Sequence, residues 1–182
     1  MGKRGFTLIE MIVTLIIVSI LGVFAAERYL NFTRDSHQAK IEGAAAALSS
    51  AMELVRTRII IDNAENSVDY EGETITLIEG MPQASAGSIR ALLHIEVPSS
   101  WTRRWTTTPC AEPSYCILGN MFAGKNGFID VPGYIDSGTR GENRVAYLWS
   151  TGYTLNENGC FAYYINNAST GEVITGTVTD GC

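Results

Sequence analysis

Between Phe6 and Ala26 the chain runs for 21 residues with a single ionisable side chain, Glu10. As a helix this run is long enough to cross the hydrocarbon core of a bilayer. A segment apolar on every side cannot be satisfied by packing one face. It needs lipid, or other helices, all the way round. Lys3 and Arg4 precede it, so the N-terminus is expected to stay cytoplasmic and everything after Ala26 to be exported. A carboxylate inside such a run costs about 2.5–3.5 kcal/mol on insertion scales, so Glu10 needs a compensating role.

An ordinary secretory signal carries its small-residue cleavage site after the apolar core. Ala25 and Ala26 could imitate one. Against that reading, the leader is very short, Gly5 stands before the run, and Glu10 lies within it. The string Gly5-Phe6-Thr7-Leu8-Ile9-Glu10 resembles the leader and cleavage motif of type IV prepilins. The resemblance implies a leader of residues 1–5, a prepilin peptidase that cuts after Gly5, and N-methylation of the new terminus, Phe6. It makes Glu10 the fifth residue of the mature chain. Pseudopilins share this motif. An uncleaved anchor with a stray glutamate would explain the span, but not the glycine, phenylalanine and glutamate together.

The implied chemistry is coherent. A cut before Phe6 creates a positive amine, and the Glu10 of one subunit can meet the Phe6 amine of its neighbour. At about 4 Å and an effective dielectric near 20 such a pair is worth on the order of 4 kcal/mol before desolvation. Desolvation can consume most of that. The pair therefore reads as a register device, with apolar packing of Leu8, Ile9, Met11, Ile12, Leu15 and Ile16 supplying the cohesion.

The helical pattern continues beyond the anchor. Ile41, Leu48, Met52, Val55 and Ile59 fall on one stripe. Ala44 to Ala47 are strong helix formers, and Glu42, Ser49, Glu53 and Arg56 take other faces. No proline interrupts residues 6–60, so the spacing predicts one helix of roughly 55 residues, about 80 Å long. Its first half, residues 6–30, is the membrane and filament-core segment. Its second half, 31–60, opens a globular domain of residues 31–182 and needs a partner along its stripe. Residues 61–182 would supply that partner as sheet and loops.

The resemblance implies the same plan: an α+β type IV pilin fold, with a long N-terminal helix packed on an antiparallel sheet. Many relatives carry proline at the position of Glu27, where the helix bends. This chain has Ser19 and Gly22 as its local weak points instead. The segments Arg28-Tyr29-Leu30-Asn31-Phe32, Ile41-Glu42-Gly43-Ala44 and, more loosely, Gly80-Met81-Pro82-Gln83-Ala84 are similar to mannose-sensitive haemagglutinin type pilins, a type IVa group.

Past Ile61 the period changes. Residues 62–67 read as a loop, and Thr74–Ile78 alternates as a strand. Ser88–Leu93 reads as a short helix capped by Ser88, and Trp101–Pro113 as a loop. Arg144–Ser150, Cys160–Ile165 and Glu172–Val178 read as an antiparallel meander, with Asn166–Gly171 as a turn. Cys110, Cys116, Cys160 and Cys182 all follow the anchor. Their even number fits disulfides in an oxidising compartment. Their spacing fits zinc poorly, and three pairings are open to four cysteines. The pairing favoured is Cys110–Cys116 with Cys160–Cys182, the latter like the C-terminal disulfide loop of type IV pilins.

No catalytic constellation, phosphate loop or nucleophile elbow is visible, so neither enzyme activity, a cofactor nor a metal is expected. His37 is placed on an exposed helix face and His94 beside a strand, neither with an evident metal partner. Asp130, Asp136 and Glu142 with nearby carbonyls are a calcium-site alternative, as in some pseudopilins, though their spacing matches no dedicated loop. The net charge is −6, and removal of Lys3 and Arg4 leaves 11 basic against 19 acidic side chains, or −8. That makes nucleic acid an unlikely partner, and Arg103 with Arg104 reads as a solvated loop. Trp101, Trp105, Trp149, Tyr115, Tyr134, Tyr153, Tyr163 and Tyr164 suit core or subunit contacts, with stacking on surface glycans as the sharper alternative. The sequons at Asn31 and Asn167 read as incidental.

Together these features lead to a pilus subunit that forms a homo-oligomeric filament for adhesion and biofilm formation. Its expected partners are the prepilin peptidase and the pilus assembly machinery of the inner membrane. It would be a single-pass inner-membrane precursor and then an extracellular subunit. The rivals are a pseudopilin of a type II secretion system, and a minor pilin acting as a tip adhesin or DNA-binding module.

Overall fold

A computed structural model describes residues 7–95, 107–111, 114–124, 129–136 and 143–182. The chain divides into two units, Met1–His37 and Gln38–Cys182. One helix, α1 (Leu8–Asp62), contributes to both. In the first unit the described residues beyond Thr7 are helical throughout, including Ser19, Gly22 and Glu27. Their large apolar side chains, from Leu8 to Phe32, are exposed.

In the second unit α1 buries Ile41, Ala44, Leu48, Ala51, Met52, Val55 and Ile59. The helix ends in a left-handed residue, Asn63 (φ 50°). The Ala64 N–H then bonds the Ile59 carbonyl, closing the last turn. Two sheets follow. The first is a three-stranded antiparallel sheet of β1 (Ser67–Tyr70), β2 (Glu73–Ile78) and β3 (Met81–Pro82), in that order. Its two hairpin turns are both Glu-Gly pairs, Glu71-Gly72 and Glu79-Gly80, with positive φ at all four residues. Two-residue turns need that geometry to follow the strand twist.

The second sheet is antiparallel in the order β4 (Tyr115–Met121), β5 (Arg144–Ser150), β6 (Phe161–Asn167) and β7 (Glu172–Val178). Trp149 pairs with Cys116 on one side and Phe161 on the other. This sheet is covered on both faces. Ile117, Ala146, Leu148, Ala162 and Tyr164 join the core formed with the α1 stripe, with Ile75 and Leu77 of β2, and with helix α2 (Ala86–Leu93). The alternate residues Leu118, Val145, Tyr147, Trp149, Phe161, Tyr163 and Ile165 form a second core with Val131 and with Leu155, the first residue of the short helix α3 (Leu155–Asn158). The long helix, the antiparallel sheet and the disulfide-closed C-terminal region fit the type IV pilin α+β fold.

Several boundaries differ from those read in the sequence. Helix α2 starts at Ala86, and its cap is Ser85, whose Oγ accepts the Ser88 N–H at 3.0 Å. Ser88 lies inside the helix, buried. Strand β1 replaces the end of the expected 62–67 loop. Strand β6 runs through Asn166 and Asn167, the first two residues of the expected turn. Their side-chain NH2 groups are tied into the fold: Asn166 Nδ2 donates to the Pro82 carbonyl and Asn167 Nδ2 to that of Gly133. Strand β4 follows a loop expectation whose residues 101–106 and 112–113 lie outside the described residues.

Candidate assembly site

The first turn of α1 carries the charge that the apolar run must accommodate. Gly5 and Phe6 lie outside the described residues. Thr7 caps the helix: its carbonyl accepts the Met11 N–H at 3.2 Å and its Oγ1 accepts the Glu10 N–H at 3.3 Å. Thr7-x-x-Glu10 therefore has the spacing of a capping box, with the glutamate at the third helical position, where a negative charge also favours the helix dipole. This second role for Glu10 was legible in the sequence as that spacing alone. The Thr7 Oγ1 lies 3.5 Å from Glu10 Oε2, at the limit of a hydrogen bond.

The other polar groups of the run satisfy themselves. Thr14 Oγ1 donates to the Met11 carbonyl at 2.8 Å and Ser19 Oγ to that of Leu15 at 2.7 Å. Glu10 is exposed, as are Leu8, Ile9, Met11, Ile12, Leu15 and Ile16 around it. Leu8 is 78% exposed, whereas Ile41, on the same helix, is fully buried. Helix α1 contains a stretch long and apolar enough to cross a membrane.

A second feature, missed in the sequence, ties α1 to the sheet in the second unit. Lys40 Nζ donates to the Ser114 carbonyl at 2.9 Å and to Ser150 Oγ at 3.0 Å. It also stands over the Tyr115 ring, 4.7 Å from its centroid. Burial holds its ammonium below the ordinary lysine range. A lone lysine on a helix gives no such signal in sequence. Beside this contact Cys110 is bonded to Cys116, and at the same end of the strands Cys160 is bonded to Cys182. The Tyr153 hydroxyl donates to the Cys182 carbonyl, holding the closed end in place.

The remaining candidates fall apart as a site. Trp149, Tyr163 and Tyr164 are buried in the two cores, and Tyr115, Tyr134 and Tyr153 are half-buried. Trp101, Trp105, Arg103, Arg104 and Glu142 lie outside the described residues. Asp130 Oδ1 accepts the N–H of Val131. His37 is half-buried, not exposed as expected. His94 is the left-handed C-cap of α2, stacked on Tyr70 of β1, with Nε2 2.5 Å from Glu71 Oε2. Asn167 of the second sequon is fully buried.

Residues 1–26 match the prokaryotic N-terminal methylation motif. The chain is 39% identical over 51 residues to the type IV narrow pilus major component PilA5 of Thermus thermophilus, an alignment covering 28% of this chain and 44% of that protein. The chain thus spans less than half the length of this curated relative. No solved structure matches it. A methylation motif followed by an apolar helix fits a membrane-anchored precursor and a mature pilus subunit. The motif, the pilin relative and the helix-on-sheet architecture together support a type IV pilin.

Proposed function

We propose that the chain is the structural subunit of a type IV pilus. In this reading a prepilin peptidase removes residues 1–5 by cutting after Gly5, and Phe6 becomes the N-methylated terminus. The inner-membrane assembly machinery then moves the apolar half of α1 from lipid into a bundle of identical helices. Residues 6–30 form the filament core and residues 31–182 its outer surface. Glu10 sets the register by meeting the Phe6 amine of a neighbour, while keeping its local place in the helix cap. The observation that carries the reading is the exposed, all-round apolar helix whose one carboxylate sits three residues after its cap.

The finer assignment is a filament like those of mannose-sensitive haemagglutinin type pilins, serving adhesion to surfaces, cells and their glycans, and biofilm formation. It is supported by the segments 28–32, 41–44 and 80–84. The test is N-terminal mass spectrometry of material sheared from the cell surface. A methylated Phe6 terminus in abundant filaments is expected. A terminus after Ala26, in soluble secreted protein, would overturn the reading.

A further inference from the structure

In the second unit, the last turns of α1 expose apolar side chains on the flank turned away from the buried stripe. Leu54 is 60% and Ile61 69% exposed. Their seven-residue spacing sets them on one line along the helix. With Thr57, Arg58, Tyr70 and the Asp69–Gly72 turn they line a groove of about 510 Å³. Its rim is charged on both sides. Arg58 stands on the helix side, its Nε 2.6 Å from Asp62 Oδ2. Asp69 and Glu71 stand on the hairpin side. Asp69 Oδ1 accepts the Gly72 N–H, and Glu71 holds His94 Nε2. Arg58 and Glu71 already hold partners of their own chain, so an apolar knob flanked by a cation and an anion would extend these pairs rather than neutralise bare charges.

The first unit presents that pattern. Arg28, Phe32 and Asp35 recur at four and three residues, which puts cation, aromatic ring and anion along one helix face. Phe32 is 71% exposed. All three lie past Ala26, where the apolar run ends. A second copy of this chain carries the same face, with the cation, ring and anion in that order. We propose that the groove between the end of α1 and the β1–β2 turn receives the Arg28–Phe32–Asp35 face of a second copy of this chain. Phe32 would enter between Leu54, Ile61 and Tyr70. Arg28 would meet the Asp69 and Glu71 carboxylates, and Asp35 the Arg58 guanidinium. The inference rests on the reading of the chain as a filament subunit and names one contact within that filament.

The test uses the full-length chain with a photoreactive benzoyl-phenylalanine in place of Phe32, irradiated in sheared filaments. The expected result is a covalent species of twice the subunit mass, with the adduct on peptides spanning residues 54–72. An adduct on lipid alone, which an aromatic at a membrane interface would give, overturns the proposal, as does an adduct on other peptides. If this variant does not assemble, the probe moves to the exposed Leu54, and the adduct is expected on residues 28–35. Separately, Arg28→Glu is expected to cut filament yield about tenfold, the effect of losing ~1.4 kcal/mol per contact. Arg28→Glu combined with Glu71→Arg is expected to restore most of it. Unchanged yield, or no rescue, overturns the contact. Filaments without this adduct sink the groove alone, whereas failure of the unaltered chain to form filaments sinks the subunit reading.

Discussion

Helix α1 is apolar in two different ways. From Leu8 to Phe32 the large apolar side chains are exposed on all faces, and the hydroxyls among them bond back to their own helix. From Ile41 to Ile59 they keep to one stripe, which is buried against two sheets and α2. Both halves are helical although the first is rich in β-branched Ile, Val and Thr and the second in Ala, Leu and Glu. What differs is the partner that each pattern requires. A stripe can be completed by the chain's own strands, so residues 38–182 hold a core within one copy. An all-round apolar surface can be completed only by something that surrounds it. The stability of one half is thus a property of the folded chain alone, and that of the other depends on what surrounds it.

The largest expected effect breaks this comparison if it fails. Leu48 is buried in the stripe, and Leu48→Ala is expected to destabilise the second unit by about 2–5 kcal/mol. Leu15→Ala, in the first half, is expected to leave the same transition within about 0.5 kcal/mol, while weakening filaments. Both are read from denaturant unfolding of the chain in detergent micelles, followed by tryptophan fluorescence. Equal losses would mean that the two halves are not energetically distinct.

Replacing Cys160 and Cys182 together by alanine comes next. Opening a loop with a sequence separation of 22 is expected to cost about 3 kcal/mol, mainly by freeing the unfolded chain. The Tyr153 bond to the Cys182 carbonyl would be lost with it. Circular dichroism of the α1 signal below the unfolding transition should not change, because the stripe's partners lie in strands that keep their ladders.

How much of this was legible follows from the same contrast. Both α1 patterns were readable because period and length are local properties. The meander of β5, β6 and β7 was readable from its apolar runs and turn residues. Strand β4 was not, since Tyr115–Met121 is apolar without alternation and is broken near its end by a register shift. Gly119, within that strand, marks a close approach that sequence does not reveal. A Cβ there would fall 2.2 Å from the Ala86 nitrogen, and the adjacent Asn120 N–H bonds the Ala84 carbonyl. The choice between Ser85 and Ser88 as cap was equally hidden: both are serines, and only the extended backbone at Ser85 (φ −112°, ψ 158°) decides it. At the assembly site, Glu10 was visible as a charge out of place, but its membership of a cap was overlooked. Lys40 and the groove at Leu54 depend on residues distant in sequence, which no local pattern brings together.

Alkaline pH sharpens the comparison with a smaller effect. Burial raises the Tyr147 and Tyr164 hydroxyls above their ordinary value of 10.0. Each donates to a backbone carbonyl, of Ile129 and Pro82 respectively. A group whose folded pKa is raised contributes stability that is fully present below the unfolded value and is lost as pH rises toward the folded one. Stability of the second unit is therefore expected to fall from about pH 10 upward. Lys40 acts in the opposite sense: burial lowers its folded value below 10.5, so it adds stability as pH rises toward that point. Thermal unfolding against pH should show the loss, and Tyr147→Phe should make it shallower. A profile that keeps rising above pH 10 would mean that these hydroxyls reach water.

The smallest effect sets the two helix caps against each other. Ser85→Ala removes the acceptor for the Ser88 N–H and is expected to lower the stability of the second unit by about 1 kcal/mol. Thr7→Ala removes the same kind of bond at the start of α1, but no core there registers the loss. The unfolding transition should not move, while amides at the start of α1 should exchange faster in micelles, and Thr7→Ser should restore them. The consequence lies at Glu10. With its N–H unbonded, the first turn frays and the carboxylate no longer holds one position relative to a neighbour's amine. Filament yield should then fall further with Thr7→Ala than the cap energy alone would predict, because one poorly placed charge recurs at every subunit. If yield and exchange are both unchanged, the cap contributes nothing to placing Glu10, and its register role would have to rest on the neighbouring copy alone.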